Sequence, residues 1–454
     1  MSLCDFDDAL RCIYCGYQAR KPRTKRVCQA PQEQRRAQLT QYAAAVARWL
    51  RAGRPTRSDA DTDRLFAICQ QCERYDAERG ACKLCGCRVS RSGWPLVNKI
   101  RMATEQCPID KWTAQPIDKP TVQRIGIITP NLLVGGVESW IASLAREWER
   151  SGRAEAIVAH TGTAASVDRV LVERLGRWAT IVSSAEIQGV VRVQSPRLAV
   201  ATVAQAVDRV IAWSVPPDLL AACNGTPAVG VSHGCGDWWM AAADPYVAGW
   251  VAVHDVAAVP CPRKPVVILN GVDLERCQST LTRVQARERF GLSSLGWIVG
   301  YVGRFSGEKR VRSIARAADL LPDGWRLLMV GRGADIPPPS DRVTILPPVE
   351  HVGDVWRACD VAVVASDAEG YCLAAVEALA AGKPLASTRV GVVETMPAGV
   401  SIIPQPAAPE AIAAAILNAH RRGLPDNLRQ WALSQSAARM AASWLDYLST
   451  VATA

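Results

Sequence analysis

The sequence predicts an α/β protein in which two Rossmann-like domains face a cleft, behind a small zinc-ribbon-like region. Three observations predict it. From about residue 122, short apolar runs alternate with helical stretches in two series, a pattern that builds parallel sheets with helices on both faces. Ten of the sixteen cysteines fall before residue 120, several as C-x2-C pairs. The charge divides at the same point: residues 1–120 hold 22 Lys and Arg against 13 Asp and Glu, and the remainder holds 31 against 30. A chain of 454 residues is long enough for about three domains. The expected units are 1–120, 121–260 and 261–424, with a crossover helix over 425–454.

The first cysteine cluster is Cys4, Cys12, Cys15 and Cys28, and the second is Cys69, Cys72, Cys82, Cys85, Cys87 and Cys107. Each C-x2-C turn presents two thiolates and leaves amides to hydrogen-bond the sulfurs, which suits tetrahedral zinc in a structural role. An iron–sulfur cluster and a set of reduced buried thiols are the alternatives. Spacing does not decide which four of the six later cysteines share an ion. The ending Cys107-Pro108-Ile109-Asp110-Lys111-Trp112 resembles small cysteine-rich modules of phage proteins, and the first cluster resembles their C-x2-C-G ribbons. Residues 32–52 hold no Gly or Pro and read as a helix, followed by a polar linker at Gly53–Asp63. Asp61-Thr62-Asp63 is read as part of that linker, since no apolar strand precedes it. No run of 18 apolar residues exists, and Met1-Ser2-Leu3-Cys4-Asp5 is no apolar leader, so a soluble cytoplasmic protein is expected. A basic module on a neutral body points to a polyanion such as DNA, with a solvated Arg-rich surface as the plainer reading.

In the body, strands are expected at Val122–Ile128, Ala154–Ala159, Ala179–Val182, Arg209–Trp213, Ala228–Val231 and Trp250–Val253. A second series, after a Pro-rich crossover at Pro260–Pro265, runs Val266–Leu269, Trp297–Val302, Trp325–Val330, Val343–Leu346, Val361–Val364 and Pro384–Ser387. Ligands in such folds bind beyond the carboxyl ends of the strands, and four motifs fall there. Gly135 and Gly136 open a helix, where backbone can approach an anion. His233 follows an apolar strand and could hydrogen-bond a sugar hydroxyl, although a lone His is more often structural. Arg304 and Lys309, five apart among glycines, can grip a diphosphate without a metal. Glu369 and Glu377, eight apart, flank Gly370, Tyr371, Cys372 and Leu373 at a helix start, where a carboxylate can bind ribose hydroxyls.

Residues 122–420 resemble the retaining GT-B glycosyltransferases of the glycogen-synthase-like family 4. The resemblance rests on the E-x7-E motif of Glu369 and Glu377, the G-R-x4-K element of Arg304 and Lys309, the run Leu269-Asn270-Gly271-Val272-Asp273, and the glycine turn. It implies a nucleotide-sugar donor, UDP- or GDP-linked, with Arg304 and Lys309 on the diphosphate and Glu377 on the ribose. Glu369 and the Gly370–Leu373 backbone would meet the sugar, and His233 would lie beside it. It also implies retention at the anomeric carbon, with no catalytic divalent metal, and a last helix near Asn427–Leu448 that crosses back to the first domain. His254 departs from the family, which often has Ser there.

The acceptor is less constrained. The basic cysteine-rich region and its phage-like ribbons favour a 5-hydroxymethyl pyrimidine in DNA. Trp238 and Trp239 could stack on such a base once it leaves the duplex, or simply pack the loop. Arg20, Lys21, Arg23, Lys25, Arg26, Arg88, Arg91, Lys99 and Arg101 could meet phosphates. A cell-surface polysaccharide or lipid-linked acceptor is the alternative, and a non-catalytic DNA-binding scaffold the third.

Overall fold

The computed structural model describes residues 32–91, 98–115, 122–234, 239–338 and 340–452. The first cysteine cluster, the basic residues from Arg20 to Arg26, and Trp238 lie outside them.

Helix Gln32–Arg51 is followed by helix Asp59–Gln70, capped by Ser58, whose hydroxyl accepts from the Asp61 amide. The expected linker is therefore shorter than Gly53–Asp63, and Asp61-Thr62-Asp63 lies in the first turns of a helix. Its acidic residues suit that position, because carboxylates near a helix N-terminus are stabilising. Strands β1 (Tyr75–Asp76) and β2 (Ala81–Cys82) form a two-residue antiparallel hairpin.

The body contains two parallel sheets. The first is built from β3 (Gln123–Thr129), β4 (Ala154–His160), β5 (Ala179–Ser183), β6 (Val191–Arg192), β7 (Arg209–Ala212), β8 (Ala228–Ser232), β9 (Gly249–Ala252) and β10 (Val266–Val267), in the order β10-β9-β8-β7-β3-β4-β5-β6. The second holds β11 (Trp297–Val302), β12 (Trp325–Val330), β13 (Val343–Leu346), β14 (Val361–Val364), β15 (Leu385–Thr388) and β16 (Ser401–Ile403), in the order β13-β12-β11-β14-β15-β16. Two-sided burial explains the near-continuous apolar runs: β5 and β14 are buried at every position. The run Val266–Leu269 corrects the expected organisation. It forms only a two-residue strand that pairs with β9 at the edge of the first sheet, instead of opening the second. Two short strands, β6 and β16, are additional.

One apolar cluster joins helix Gly136–Ser151 of the first domain to helix Leu373–Ala380 of the second and to the last helix, Ala437–Thr450. The chain end returns to the first domain: Trp148 Nε1 donates to the Ala441 carbonyl at 3.0 Å, Arg209 donates to the Val451 carbonyl, and Trp140 and Trp444 meet edge to face at 5.6 Å. Helix Gln32–Arg51 also docks on the first domain. Val46, Ala47, Trp49 and Leu50 share a core with Val200, Val203 and Trp250.

Candidate active site at the domain seam

In each sheet the strand order reverses beside its first strand, at β3 and at β11, and loops diverge there to leave a crevice. The loops after β3, β11 and β14 carry the glycine turn, the Arg–Lys element and the Glu–Glu element. The two domains touch backbone to backbone at this level. Gly234 has φ +119°, and a Cβ on it would stand 2.6 Å from Gly370 Cα, while a Cβ on Gly370 would overlap the His233 carbonyl. Only glycine allows that approach.

Lys309 Nζ lies 2.6 Å from Glu369 Oε1, and Ser366 Oγ donates to the same oxygen at 2.7 Å. The charge-assisted pair is largely shielded from water and orders both loops. Arg304 is exposed and bridges Glu308 at 2.8 Å. The Asp367 amide donates to the Glu308 carbonyl at 2.8 Å, which ties the two loops together. Glu377, in helix Leu373–Ala380, lies 3.6 Å from Arg276. Burial raises its carboxyl above the usual range, and Arg276 opposes the shift.

The remaining expected residues divide. Cys372 takes φ +78° as it opens the helix, and its side chain is buried. A left-handed non-glycine residue costs on the order of 1 kcal/mol or more and clusters at functional loops. Leu373 is half-buried, and its Cδ1 would be 3.8 Å from a Cβ on Gly136, so the glycine turn and this helix start face each other. Gly135 has extended backbone, so steric freedom at φ is not its reason. The Tyr371 side chain is turned into the core, edge-on to His254, leaving only its backbone at the loop. His254 caps the helix Asp255–Ala258 and holds Thr395 at 3.0 Å, a structural task.

His233 stands between Trp140 at 4.8 Å and Trp213 at 6.1 Å. Its Nε2 is buried with no partner among the described residues, and burial pushes the imidazole down to about 3. It is therefore neutral at working pH, able to give or take one hydrogen bond but not to act as a cation.

Three residues join the site that sequence reasoning did not assign. Glu138 sits one turn into helix Gly136–Ser151, 7% exposed, with its carboxyl raised by burial to about 7. Arg276 and Ser366 hold Glu377 and Glu369. Glu138 follows the Gly135–Gly136 turn by two residues, whereas pairing across loops leaves no spacing signal.

The other expected features are placed as follows. Trp239 is 1% exposed and packs on Trp250 at 5.2 Å, so it offers no stacking face to a base. Arg101 is paired with Asp59, Arg91 lies 3.8 Å from Asp63, and Lys99 lies 3.9 Å from the Cys85 sulfur. Among the described residues, no three His, Cys, Asp or Glu side chains converge at metal-ligand distances. No helix there is long and apolar enough to cross a membrane.

Residues 296–422 match the model of the family described as "Glycosyl transferases group 1". Curated relatives include the D-inositol 3-phosphate glycosyltransferase of Mycobacteroides abscessus, 35% identical over 157 residues, which is 31% of this chain and 34% of that protein. That of Mycolicibacterium smegmatis is 38% identical over 141 residues, 28% of this chain and 32% of that protein. The chain thus spans about a third of the length of the curated relatives it matches. Among solved structures, Anabaena Alr3699/HepE in complex with UDP-glucose is similar with a TM-score of 0.59 at 17% identity, covering 72% of this chain and 99% of that one. A glycosyltransferase from Rickettsia africae ESF-5 gives 0.58 at 18% identity, covering 73% and 99%. At these identities the likeness is one of fold: the chain has the two-domain α/β arrangement of these glycosyltransferases.

Proposed function

We propose that this chain transfers a sugar from a nucleoside-diphosphate sugar to a hydroxyl-bearing acceptor, with retention at the anomeric carbon. The observation that carries the reading is the Lys309–Glu369 pair at the ends of two neighbouring central strands, across from the glycine turn of the other domain. The matching family segment spans both of its residues.

In this reading Lys309 leaves Glu369 for the donor diphosphate and is joined there by Arg304, whose bridge to Glu308 is exposed and weak. Glu369 is then released to a sugar hydroxyl, still oriented by Ser366. Glu377 takes the ribose, with Arg276 limiting the penalty of its burial. The bond from C1 to the phosphate oxygen breaks as the bond from C1 to the acceptor oxygen forms on the same face. The acceptor proton passes to the departing phosphate. The cations supply charge stabilisation where negative charge grows on that leaving group. His233, neutral and with no partner for Nε2 among the described residues, offers that nitrogen to the sugar or the incoming hydroxyl.

The acceptor is proposed only as a hydroxyl. A hydroxymethylated pyrimidine in DNA, expected from the +9 balance of residues 1–120, draws no support from the matched relatives, which are named for D-inositol 3-phosphate. The burial of Trp239 weighs against it as well. The reading is tested by incubating the full chain with radiolabelled UDP- and GDP-sugars and three acceptors: inositol phosphates, hydroxymethylcytosine DNA and lipid-linked saccharides. Labelled product with nucleoside diphosphate released in equal amount is expected from one pairing. Failure of every donor to bind or turn over overturns the reading.

A further inference from the structure

The second cysteine cluster lies in the segment that precedes the first sheet. Its segment, residues 55–115, has little with which to fold alone. Among its described residues the buried apolar core is Leu65, Val89, Ile100, Cys107 and Trp112, the hairpin of β1 and β2 is the one sheet, and the cysteines are free of disulfides. A two-stranded hairpin is marginal in water, and cores this small need a staple.

Four of the six thiols belong to one place. Cys69 and Cys72 come from the end of helix Asp59–Gln70, Cys82 from β2, and Cys107 from the final turn; together they line a single cavity of about 30 Å³. Cys69 and Cys82 pack directly on the core that holds Cys107. The turn after Cys82 is shaped to receive a metal thiolate. Gly86 takes φ +67°, its amide donates to the Cys82 carbonyl at 2.8 Å, and the amides of Leu84 and Cys85 donate to the Cys82 sulfur. Cys85 and Cys87 do not line that cavity: Cys85 shares a hydrogen bond with the Cys82 sulfur from outside it and lies 3.9 Å from Lys99, and Cys87 lines a separate hollow with Tyr42. Arg74 and Lys111 also line the four-thiol cavity, and they complement the double negative charge of a divalent ion with four thiolates.

We propose that Cys69, Cys72, Cys82 and Cys107 hold one zinc ion that staples this segment together. The sulfurs are neighbours but not yet at ligand distance, so side-chain rotation must draw them inward. Binding displaces the thiol protons to solvent, up to four per ion, and no electron is transferred. The site is independent of the transferase reading.

The test uses the full chain as purified, with zinc measured by elemental analysis and thiol alkylation mapped by peptide mass spectrometry before and after a chelator. Cys69, Cys72, Cys82 and Cys107 are expected to react at least about tenfold faster after chelation, all four together, as zinc is released. Cys107→Ser is expected to lose one zinc per chain, Cys85→Ser none, and Cys107→His to keep the ion with a shifted cobalt absorption band. Should Cys107→Ser fail to fold, the wild-type alkylation pattern still decides. The proposal is overturned if chelation leaves the four rates unchanged, if Cys85→Ser loses the ion as Cys107→Ser does, or if iron with labile sulfide is found in place of zinc.

Discussion

At the scale of single residues, the candidate site is governed by which charges neutralise one another. Lys309 and Glu369 hold each other at 2.6 Å, so neither loop carries a lone buried charge. Lys309→Ala removes the cation and leaves Glu369 without its partner. The expected loss in kcat/KM is about 10²–10³-fold, read in steady-state assays with the best donor. Glu138 supplies a pH signature. Its folded pKa, about 7, lies above the ordinary 4.5 because burial disfavours the anion, with Arg304 opposing. A raised carboxyl contributes stability that is complete below about pH 4.5 and lost as the pH rises through about 7. Glu138→Gln removes that loss. Its melting temperature should exceed the wild type's by roughly 5 °C at pH 8 and by less at pH 5.5. An equal offset at both pH values would show that the carboxyl is not buried as described.

At the scale of elements, the loops after β8 and β14 meet through two glycines that admit no side chain. Gly370→Ala drives a methyl into the His233 carbonyl, so it should cut turnover at least about tenfold while far-ultraviolet circular dichroism stays native. The last helix is an anchor for the seam: Trp444 is fully buried against Trp140. Trp444→Ala should cost about 3–5 kcal/mol, seen as a lower denaturation midpoint. Most central strands were legible from the chain because two-sided burial demands near-continuous apolar runs, as in β14. The strands that escaped, β6 and β16, are two and three residues long and sit at sheet edges. They are made by tertiary pairing, which leaves no periodicity. The helix start at Ser58 was hidden because its first turn, Asp59-Ala60-Asp61, is as polar as a linker.

At the scale of the whole molecule, ion pairs clamp the two domains around the crevice. Arg332 of the second domain pairs with Asp168 of the first, and Arg146 of the first pairs with Asp273 and Glu275. The residues proposed to meet the donor were visible in the sequence because each lies in a compact motif at a strand end, as Arg304 and Lys309 do. Their partners Arg276 and Ser366 were not, since pairing across loops is a product of folding. The acceptor side was least legible. The Trp238–Trp239 pair read as a possible platform, yet Trp239 is used to fill the core against Trp250. Helix Gln32–Arg51 likewise shares the first domain's core instead of standing apart with the cysteines.

In the proposed reading the seam binds a nucleoside-diphosphate sugar through Lys309 and Glu369. Calorimetric titration of the full chain with UDP- and GDP-sugars tests it most directly, beside Lys309→Ala and a surface control, Arg197→Ala. Saturable binding of one donor class is expected, weakened at least about tenfold by Lys309→Ala and unchanged in the control. Binding of equal strength in wild type and Lys309→Ala would contradict it.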